Sequence, residues 1–144
     1  MPSPPAVPFF EPDIGQAESR EVVATLESGW LTTGERAGGF ERKFAEYVGA
    51  EHALAVSSCT AGLHLALAEL GVGPGDEVLV PTMTFTATAG VVIHTGARPV
   101  LVDCDPATLL IDPDAIAASV GPATRAVMPV HFAGQPCDMV AIQE

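Results

Sequence analysis

The hydrophobic pattern of the chain changes near residue 50. Before that point apolar residues recur every three or four positions, which predicts amphipathic helices over 19–27 and from Phe40 to a stop at Gly49. A loop at 30–34 separates the two helices and carries the sole tryptophan. The first residues are rich in proline, which cannot continue a regular helix, so we expect an extended arm through Pro12.

After residue 50 short apolar segments alternate with helical ones. Strands that are apolar on both faces and separated by helices form parallel sheets that are covered on both sides. We therefore predict an α/β fold, a three-layer sandwich around a mostly parallel sheet. The predicted strands are 53–56, 77–80, 98–102 and 125–130, and the predicted helices are 63–70, 85–94, 113–119 and the beginning of another at 138–144.

The change of pattern predicts two regions, an N-terminal arm with helices over 1–50 and an α/β region over 51–144. The segment 138–144 has the spacing of a helix, but no strand follows it. A sheet interrupted there would leave an unpaired edge and an uncovered apolar face. We therefore expect the sequence to be the N-terminal part of a longer protein.

The transition from strand to helix at 53–62 is the most informative local feature. An apolar strand ends in the polar turn Ser-Ser-Cys-Thr-Ala-Gly at 57–62, and an apolar helix follows. The unpaired N–H groups and the positive dipole end of a helix N-terminus suit a phosphate, and small residues let the phosphate approach. Ser and Thr also form ordinary N-caps. Both interpretations, phosphate site and simple cap, are open at this point.

The strand at 77–80 is followed by a threonine-rich segment that contains Phe85. Ligands gather at the carboxyl ends of the strands of an open parallel sheet. An aromatic ring there can stack on a planar ligand, with a gain of about 0.5–1.5 kcal/mol beyond its buried area. The alternative is a core phenylalanine at the start of a helix.

Composition and charge exclude several classes of partner. Six basic and 18 acidic residues give a net charge of −12, spread along the chain, so we expect no nucleic acid and no membrane surface as partner, because both need basic patches. The three cysteines are irregularly spaced and predict reduced thiols, and they and the histidines lack the spacing of a metal site. Without a signal peptide or an apolar run of about 18 residues, a cytoplasmic protein is expected.

Taken in order along the chain, these segments resemble the DegT/DnrJ/EryC1/StrS family of pyridoxal-phosphate (PLP) sugar aminotransferases, which have the aspartate-aminotransferase fold (fold type I). The first motif is Gly-Trp-Leu-Thr-Thr-Gly and the last is Pro-Val-His-Phe-Ala-Gly-Gln-Pro-Cys-Asp. The resemblance covers nearly the whole chain, and the segments that carry it are 29–34, 40–47, 57–67, 73–78, 81–85, 96–100, 102–106 and 129–138.

The resemblance implies PLP as the cofactor, with Thr60 and Ala61 holding its phosphate and Phe85 stacking on its pyridine ring. It implies that 51–144 is the first part of the PLP-binding large domain, with the remainder and a small C-terminal domain outside the sequence. The loop 29–34 is similar to the loop that lines the substrate entrance near the subunit boundary.

The last motif contains His131 and Gln135, and in the family these positions belong to a strand-end loop that borders the active site. The resemblance assigns them no catalytic role. Transamination needs a lysine for the Schiff base and a carboxylate for the pyridinium nitrogen, and in the family both lie beyond Glu144. Lys43, the sole lysine, falls on a charged helix and is expected at the surface, and Asp105 with the proline after it predicts a turn.

The activity implied is transfer of an amino group, with glutamate as the expected donor, onto a keto group of a nucleotide-linked sugar by a homodimer. Such reactions serve the biosynthesis of polysaccharides and antibiotics. The chain by itself is expected to be inactive, since no catalytic residue is assigned in it. The alternatives are a sugar dehydratase or a cyclitol or aminobenzoate-type enzyme of the same family, or a non-catalytic regulatory homologue.

Overall fold

The structure is a computed structural model, and it describes Pro8 and residues 10–143. Most of the predicted extended arm therefore lies outside the described residues. The chain divides into two compact units, Met1–Ala55 and Val56–Glu144, and each is described by itself.

The first unit contains two helices, α1 (Gln16–Glu27) and α2 (Glu35–Val48). Helix α1 begins three residues before the predicted start, because the Glu18 carboxylate accepts the N–H of Gly15 at 2.7 Å and thereby caps the helix. The hydrogen bonds from its own N–H and from that of Gly15 hold the pKa of Glu18 below its usual range. An ion pair between Arg36 and Glu21 joins α2 to α1.

Helix α2 ends where the sequence predicts. Gly49 adopts φ 70°, a left-handed conformation that glycine accepts at little cost, and the N–H of Ala50 then donates to the carbonyl of Ala45 at 2.9 Å. Ala45 is the buried residue of this helix. The loop before α2 is held by the Trp30 indole N–H, which donates to the carbonyl of Thr33 at 3.1 Å.

The second unit is built on a three-stranded parallel sheet in the order β2-β1-β3. Its strands are β1 (Glu77–Pro81), β2 (Arg98–Val102) and β3 (Thr124–Val127). The prediction for β2 is confirmed at both ends, and that for β1 to within one residue. Strand β3 ends three residues early: the N–H of Met128 still donates to the carbonyl of Leu79 at 2.9 Å, but Pro129 after it has no N–H to donate.

Helices cover both faces of this sheet. Val78 and Val80 of β1 point to one face and pack in a cluster with Leu67 of α3 (Cys59–Glu69) and Val91 of α4 (Ala87–His94). Leu79, which is 0% exposed, points to the other face. There it packs in a cluster that includes residues of α5 (Pro113–Ser119) and α6 (Met139–Gln143). The three layers and the parallel sheet of the predicted α/β fold are therefore confirmed.

The predicted strand at 53–56 is wrong. These residues lie outside the sheet, and among the described residues none of them belongs to a strand pair. Leu54 is 74% exposed. An apolar segment becomes a strand only when a neighbour receives its backbone hydrogen bonds, and both edges of the observed sheet lack such a pairing with it.

The helix that follows this segment begins at Cys59 instead of residue 63. Ser58 caps it, so the polar turn predicted at 57–62 is shorter than expected and its second half is helical. Within the described residues, none of the helices combines the length and the hydropathy that a bilayer span requires.

Candidate functional site

The N-terminus of α3 lies where the carboxyl ends of β1, β2 and β3 meet. We call this side of the sheet the carboxyl edge, and the side where the strands begin the amino edge. At the opposite edge, Arg125 near the start of β3 donates from its guanidinium to the carbonyl of Leu70 at 3.3 Å, directly after α3 ends. Helix α3 and strand β1 have similar lengths, about 16 Å each from their residue counts. The helix therefore runs antiparallel to the strands, and its first turn reaches the carboxyl edge.

Of the first four N–H groups of α3, two are engaged and two are available. The Ser58 hydroxyl accepts the N–H of Ala61 at 3.1 Å, and the Ser58 carbonyl accepts the N–H of Gly62 at 3.1 Å. The N–H groups of Cys59 and Thr60 donate to no acceptor within the described residues, and both residues are exposed. The simple cap is thus present, and it leaves two amides and the Thr60 hydroxyl facing solvent at the positive end of the helix dipole.

Phe85 lies at the same edge, between the end of β1 and the start of α4. Its ring is 77% exposed, so the interpretation as a core phenylalanine is wrong. The buried position at this helix start belongs to Thr88, which is 4% exposed. The hydroxyls of Thr84 and Thr88 are 2.7 Å apart, and the N–H of Thr88 donates to the carbonyl of Phe85 at 3.0 Å. These bonds turn the backbone so that the ring stays outside.

The topology brings Thr60, Ala61 and Phe85 to one edge. Helix α4 connects the carboxyl end of β1 to the amino end of β2, so it also runs antiparallel to the strands. The ends of α3 and α4 meet at the amino edge, where a Cβ built on Gly96 would lie 3.0 Å from the ring of Pro74. The N-termini of both helices therefore share the carboxyl edge.

The strand order also places a change of connection direction between two neighbouring strands, β1 and β3, at the carboxyl edge. The chain leaves β1 toward the face covered by α3 and α4, and it leaves β3 toward the opposite face, where Phe132 and Ile142 pack. Strands whose connections leave in opposite directions form a topological switch point, where α/β proteins bind ligands. Phe85 follows one of the two strands, and the segment from His131 to Asp138 follows the other.

The segment after β3 is held by a contact that sequence reasoning missed. The imidazole Nδ1 of His131 accepts the backbone N–H of Cys137 at 3.0 Å, and the Cys137 thiol donates to the carbonyl of Val130 at 3.2 Å. Cys137 is buried, whereas His131 and Gln135 are exposed. No periodicity marks a bond between a side chain and a backbone group six residues away, so the sequence carries no general signal for it.

The first unit has its own cleft, of about 490 Å³, beside the loop 29–34. Trp30, Gly34 and Arg36 are among the residues that line it. The indole lies directly against Gly34, since a Cβ at that position would be 2.3 Å from Trp30 Cδ1. Glycine is therefore required here for space.

Two further predictions concern charged residues outside these sites. Lys43 is exposed on α2, as expected for a surface lysine. Asp105 forms the predicted turn, in which its Oδ1 accepts the N–H groups of Thr108 at 2.8 Å and Ala107 at 2.9 Å. These bonds, that from Thr108 first, lower the pKa of Asp105. In the part of the chain that the structure describes, no group of three or more His, Cys, Asp or Glu residues is placed to hold a metal ion.

The parallel sheet with helices on both faces is the architecture of an α/β protein, a class in which ligands bind at the carboxyl ends of the strands. Residues 12–144 match the DegT/DnrJ/EryC1/StrS aminotransferase family, and the chain belongs to this family. Its structural neighbours, which include PLP and PMP forms of a sugar aminotransferase, share its fold.

Among its relatives is the spore coat polysaccharide biosynthesis protein SpsC of Bacillus subtilis (strain 168), which is 56% identical over 136 residues. That alignment covers 94% of this chain and 35% of SpsC. The chain thus spans about a third of the length of the relatives it matches.

Two solved structures extend the comparison. Spr1654 from Streptococcus pneumoniae, assigned as a sugar aminotransferase and solved in its PMP form, superposes with a TM-score of 0.89 at 43% identity, over 95% of this chain and 35% of that one. A PLP form of the same protein superposes equally well. A 3-amino-5-hydroxybenzoic acid synthase superposes with a TM-score of 0.85 at 46% identity, over 92% of this chain and 35% of that one.

Proposed function

We propose that the protein carrying this chain is a PLP-dependent aminotransferase, which moves an amino group from glutamate onto a keto group of a nucleotide-linked sugar. In this proposal residues 51–144 contribute the first part of the PLP-binding domain, and residues 1–50 contribute the arm and helices before it. Membership in the aminotransferase family supports the proposal, as do PLP and PMP forms among the structural neighbours. The observation on this chain that supports the proposal is the pair of available amides at the start of α3.

The start of α3 fits a phosphate ester. The N–H groups of Cys59 and Thr60 are available, and the Thr60 hydroxyl adds a third donor beside them. Ala61 has no side chain beyond Cβ, so a tetrahedral anion can approach the backbone. On this basis we assign the phosphate of PLP to Thr60, which supplies donors, and to Ala61, which supplies space because its own N–H is bonded to Ser58.

Phe85 fits the planar ring of the same cofactor. A phenylalanine that is 77% exposed leaves a large apolar surface in water, and stacking on a heteroaromatic ring would cover that surface. When bound, PLP supplies an electron sink that stabilises negative charge on the carbon next to the transferred nitrogen. The role proposed for Phe85 is to orient the ring, while α3 holds the phosphate.

The lysine that transamination requires is proposed to lie outside these 144 residues. Lys43 is the sole lysine of the sequence and is exposed on the charged helix α2. We therefore expect the chain alone to lack transaminase activity. Assembly as a homodimer and a cytoplasmic location belong to the same proposal, and the three free cysteines support the latter.

A second candidate is an aminobenzoate-type enzyme of the same family. The similarity to 3-amino-5-hydroxybenzoic acid synthase, at 46% identity, favours it. The two candidates differ in their products. Glutamate-dependent formation of an amino sugar supports the first, whereas formation of an aromatic amine without transamination of any nucleotide sugar supports the second.

The experiment that tests the cofactor site places a negative charge in the first turn of α3. Thr60→Asp puts a carboxylate at the second residue of α3, where its charge interacts favourably with the positive end of the helix dipole. The fold is therefore preserved, but the carboxylate repels a phosphate. Ala17→Asp places the same residue at the second position of α1 and is the matched control. Both variants of the protein carrying this chain are purified with excess PLP and dialysed, and bound PLP is measured by absorbance.

We expect Thr60→Asp to lose PLP, while the thermal midpoint of the PLP-free variant stays at or above that of the PLP-free parent, because bound PLP by itself stabilises the folded state. Ala17→Asp should retain PLP at the parental ratio. Full retention of PLP by Thr60→Asp at an unchanged affinity would refute the assignment of the phosphate to α3.

A further inference from the structure

The loop after β3 is closed at its base and strained at its tip. At the base both the N–H and the thiol of Cys137 bond back to the chain, to Nδ1 of His131 and to the carbonyl of Val130. At the tip Ala133 has φ 52° and Gly134 has φ 80°. Two consecutive residues in the left-handed region, one of them with a side chain, need surrounding contacts that hold them there.

The base of the loop is fixed in the core, while the tip is exposed. Cys137, which is 5% exposed, packs in the cluster around Leu79, and Phe132 packs against the same cluster. The residues between them, 133–136, are all exposed. The strained part of the loop is therefore the part that faces solvent, and it follows β3 on one side of the switch point between β1 and β3.

The contact with Cys137 determines which nitrogen of the neutral imidazole of His131 carries the proton. An N–H donates to Nδ1, so this nitrogen carries no proton, and the neutral ring has its proton on Nε2.

We infer that His131 is a positioning residue, which through its bond to the N–H of Cys137 keeps the tip 133–136, with the amide of Gln135, at the switch point between β1 and β3 for contact with the sugar substrate. This inference rests on the proposed function for the identity of the substrate. His131 acts through the loop, so its loss is expected to weaken substrate binding and to leave the cofactor site at α3 intact.

The test compares three substitutions at one position in the protein carrying this chain. His131→Asn retains a side-chain oxygen that can accept the N–H of Cys137. His131→Ala removes the acceptor and also leaves the space of the side chain empty. His131→Phe removes the acceptor but fills that space with a ring, so an effect shared by both variants comes from the lost hydrogen bond. His52→Ala, at a histidine whose side chain is 87% exposed, is the control for loss of a surface imidazole.

The first readout is the rate at which Cys137 reacts with an alkylating reagent, followed by mass spectrometry of its peptide. An ordinary hydrogen bond changes an opening equilibrium about tenfold, so His131→Ala and His131→Phe should label about tenfold faster than the parent. His131→Asn and His52→Ala should label at close to the parental rate. Equal labelling rates for all variants would overturn the inference.

The second readout is steady-state kinetics together with PLP content. We expect His131→Ala and His131→Phe to raise KM for the sugar substrate about tenfold with little change in kcat or bound PLP, and His131→Asn to restore KM. Faster labelling of Cys137 with an unchanged KM would limit His131 to a structural role and overturn the inference.

The two readouts separate this inference from the proposed function. Labelling of Cys137 needs no catalysis. A parent protein without transaminase activity would contradict the proposed function, whereas an active parent whose His131 variants match it in both readouts would contradict the inference alone.

Discussion

The hydroxyl of Ser58 accepts the backbone N–H of Ala61 at 3.1 Å and thereby caps the helix that carries the candidate phosphate site. The cap and the site share one helix terminus, but they use different amides. Ser58 satisfies the third N–H of the helix, and those of Cys59 and Thr60 remain available.

Removal of this cap should destabilise the helix. Ser58→Ala is expected to lower the free energy of unfolding by about 1 kcal/mol, because the N–H of Ala61 loses its acceptor. Ser58→Asp keeps an acceptor at the same place and should restore stability, although its charge should weaken phosphate binding. Urea titrations of the three proteins measure the first effect, and equal stability of parent and Ser58→Ala would contradict it.

Substitution of Phe85 should affect the cofactor more than the fold. Because the ring is 77% exposed, Phe85→Leu should change stability by no more than about 0.5 kcal/mol. The loss of stacking should weaken PLP binding about two- to tenfold, and Phe85→Tyr, which keeps the ring, should bind like the parent. PLP titration by fluorescence checks this. A large loss of stability without a change in PLP affinity would show that the ring serves packing.

The central strand β1 and the outer strand β2 predict a sharp contrast between two leucines. Leu79→Ala removes a side chain that is 0% exposed and should cost about 2–5 kcal/mol. Leu101→Ala, on the adjacent strand β2, removes one that is 64% exposed and should cost far less. Denaturant unfolding of both variants of this chain measures the difference, and similar losses for the two would contradict the assignment of the core.

Two glycines, one inside α2 and one at its end, should respond to alanine with opposite signs. Gly49 has φ 70° and no atom within 4 Å of the place where a Cβ would lie, so Gly49→Ala should cost about 1 kcal/mol through backbone strain alone. Gly39 lies inside α2, where Gly39→Ala should stabilise by about 0.5–1 kcal/mol. Thermal midpoints that move in opposite directions would confirm this prediction, and midpoints that move in the same direction would contradict it.

The turn at Asp105 should weaken in acid. Its bonds from Thr108 and Ala107 lower the pKa of the carboxyl group in the folded state, so their contribution to stability is present above the unfolded-state pKa. It is lost as the pH falls through the lowered folded-state pKa. Asp105→Asn keeps an oxygen acceptor without the charge and should show no such dependence. Hydrogen exchange of the amides of residues 107 and 108 across that range distinguishes the two proteins, and identical pH profiles would contradict the role of the charge.

Features with local causes could be predicted from the sequence alone. Helix α5 matches its predicted bounds because Asp112 accepts the N–H of Asp114 and a proline occupies the first turn. The stop at Gly49 is likewise set by adjacent residues. The order of motifs along the chain also identified the family, since that order needs no tertiary structure.

Only the tertiary structure decided which of these segments pair and which side chains stay in water. The segment 53–56 has the composition of a strand but lacks a partner in the sheet, and Phe85 is exposed because Thr88 takes the buried position beside it. The bond between His131 and Cys137 depends on two left-handed residues that bring the chain back on itself. In each case the deciding interaction joins groups whose distance is set by the folded backbone, so apolar spacing and residue type could not reveal it.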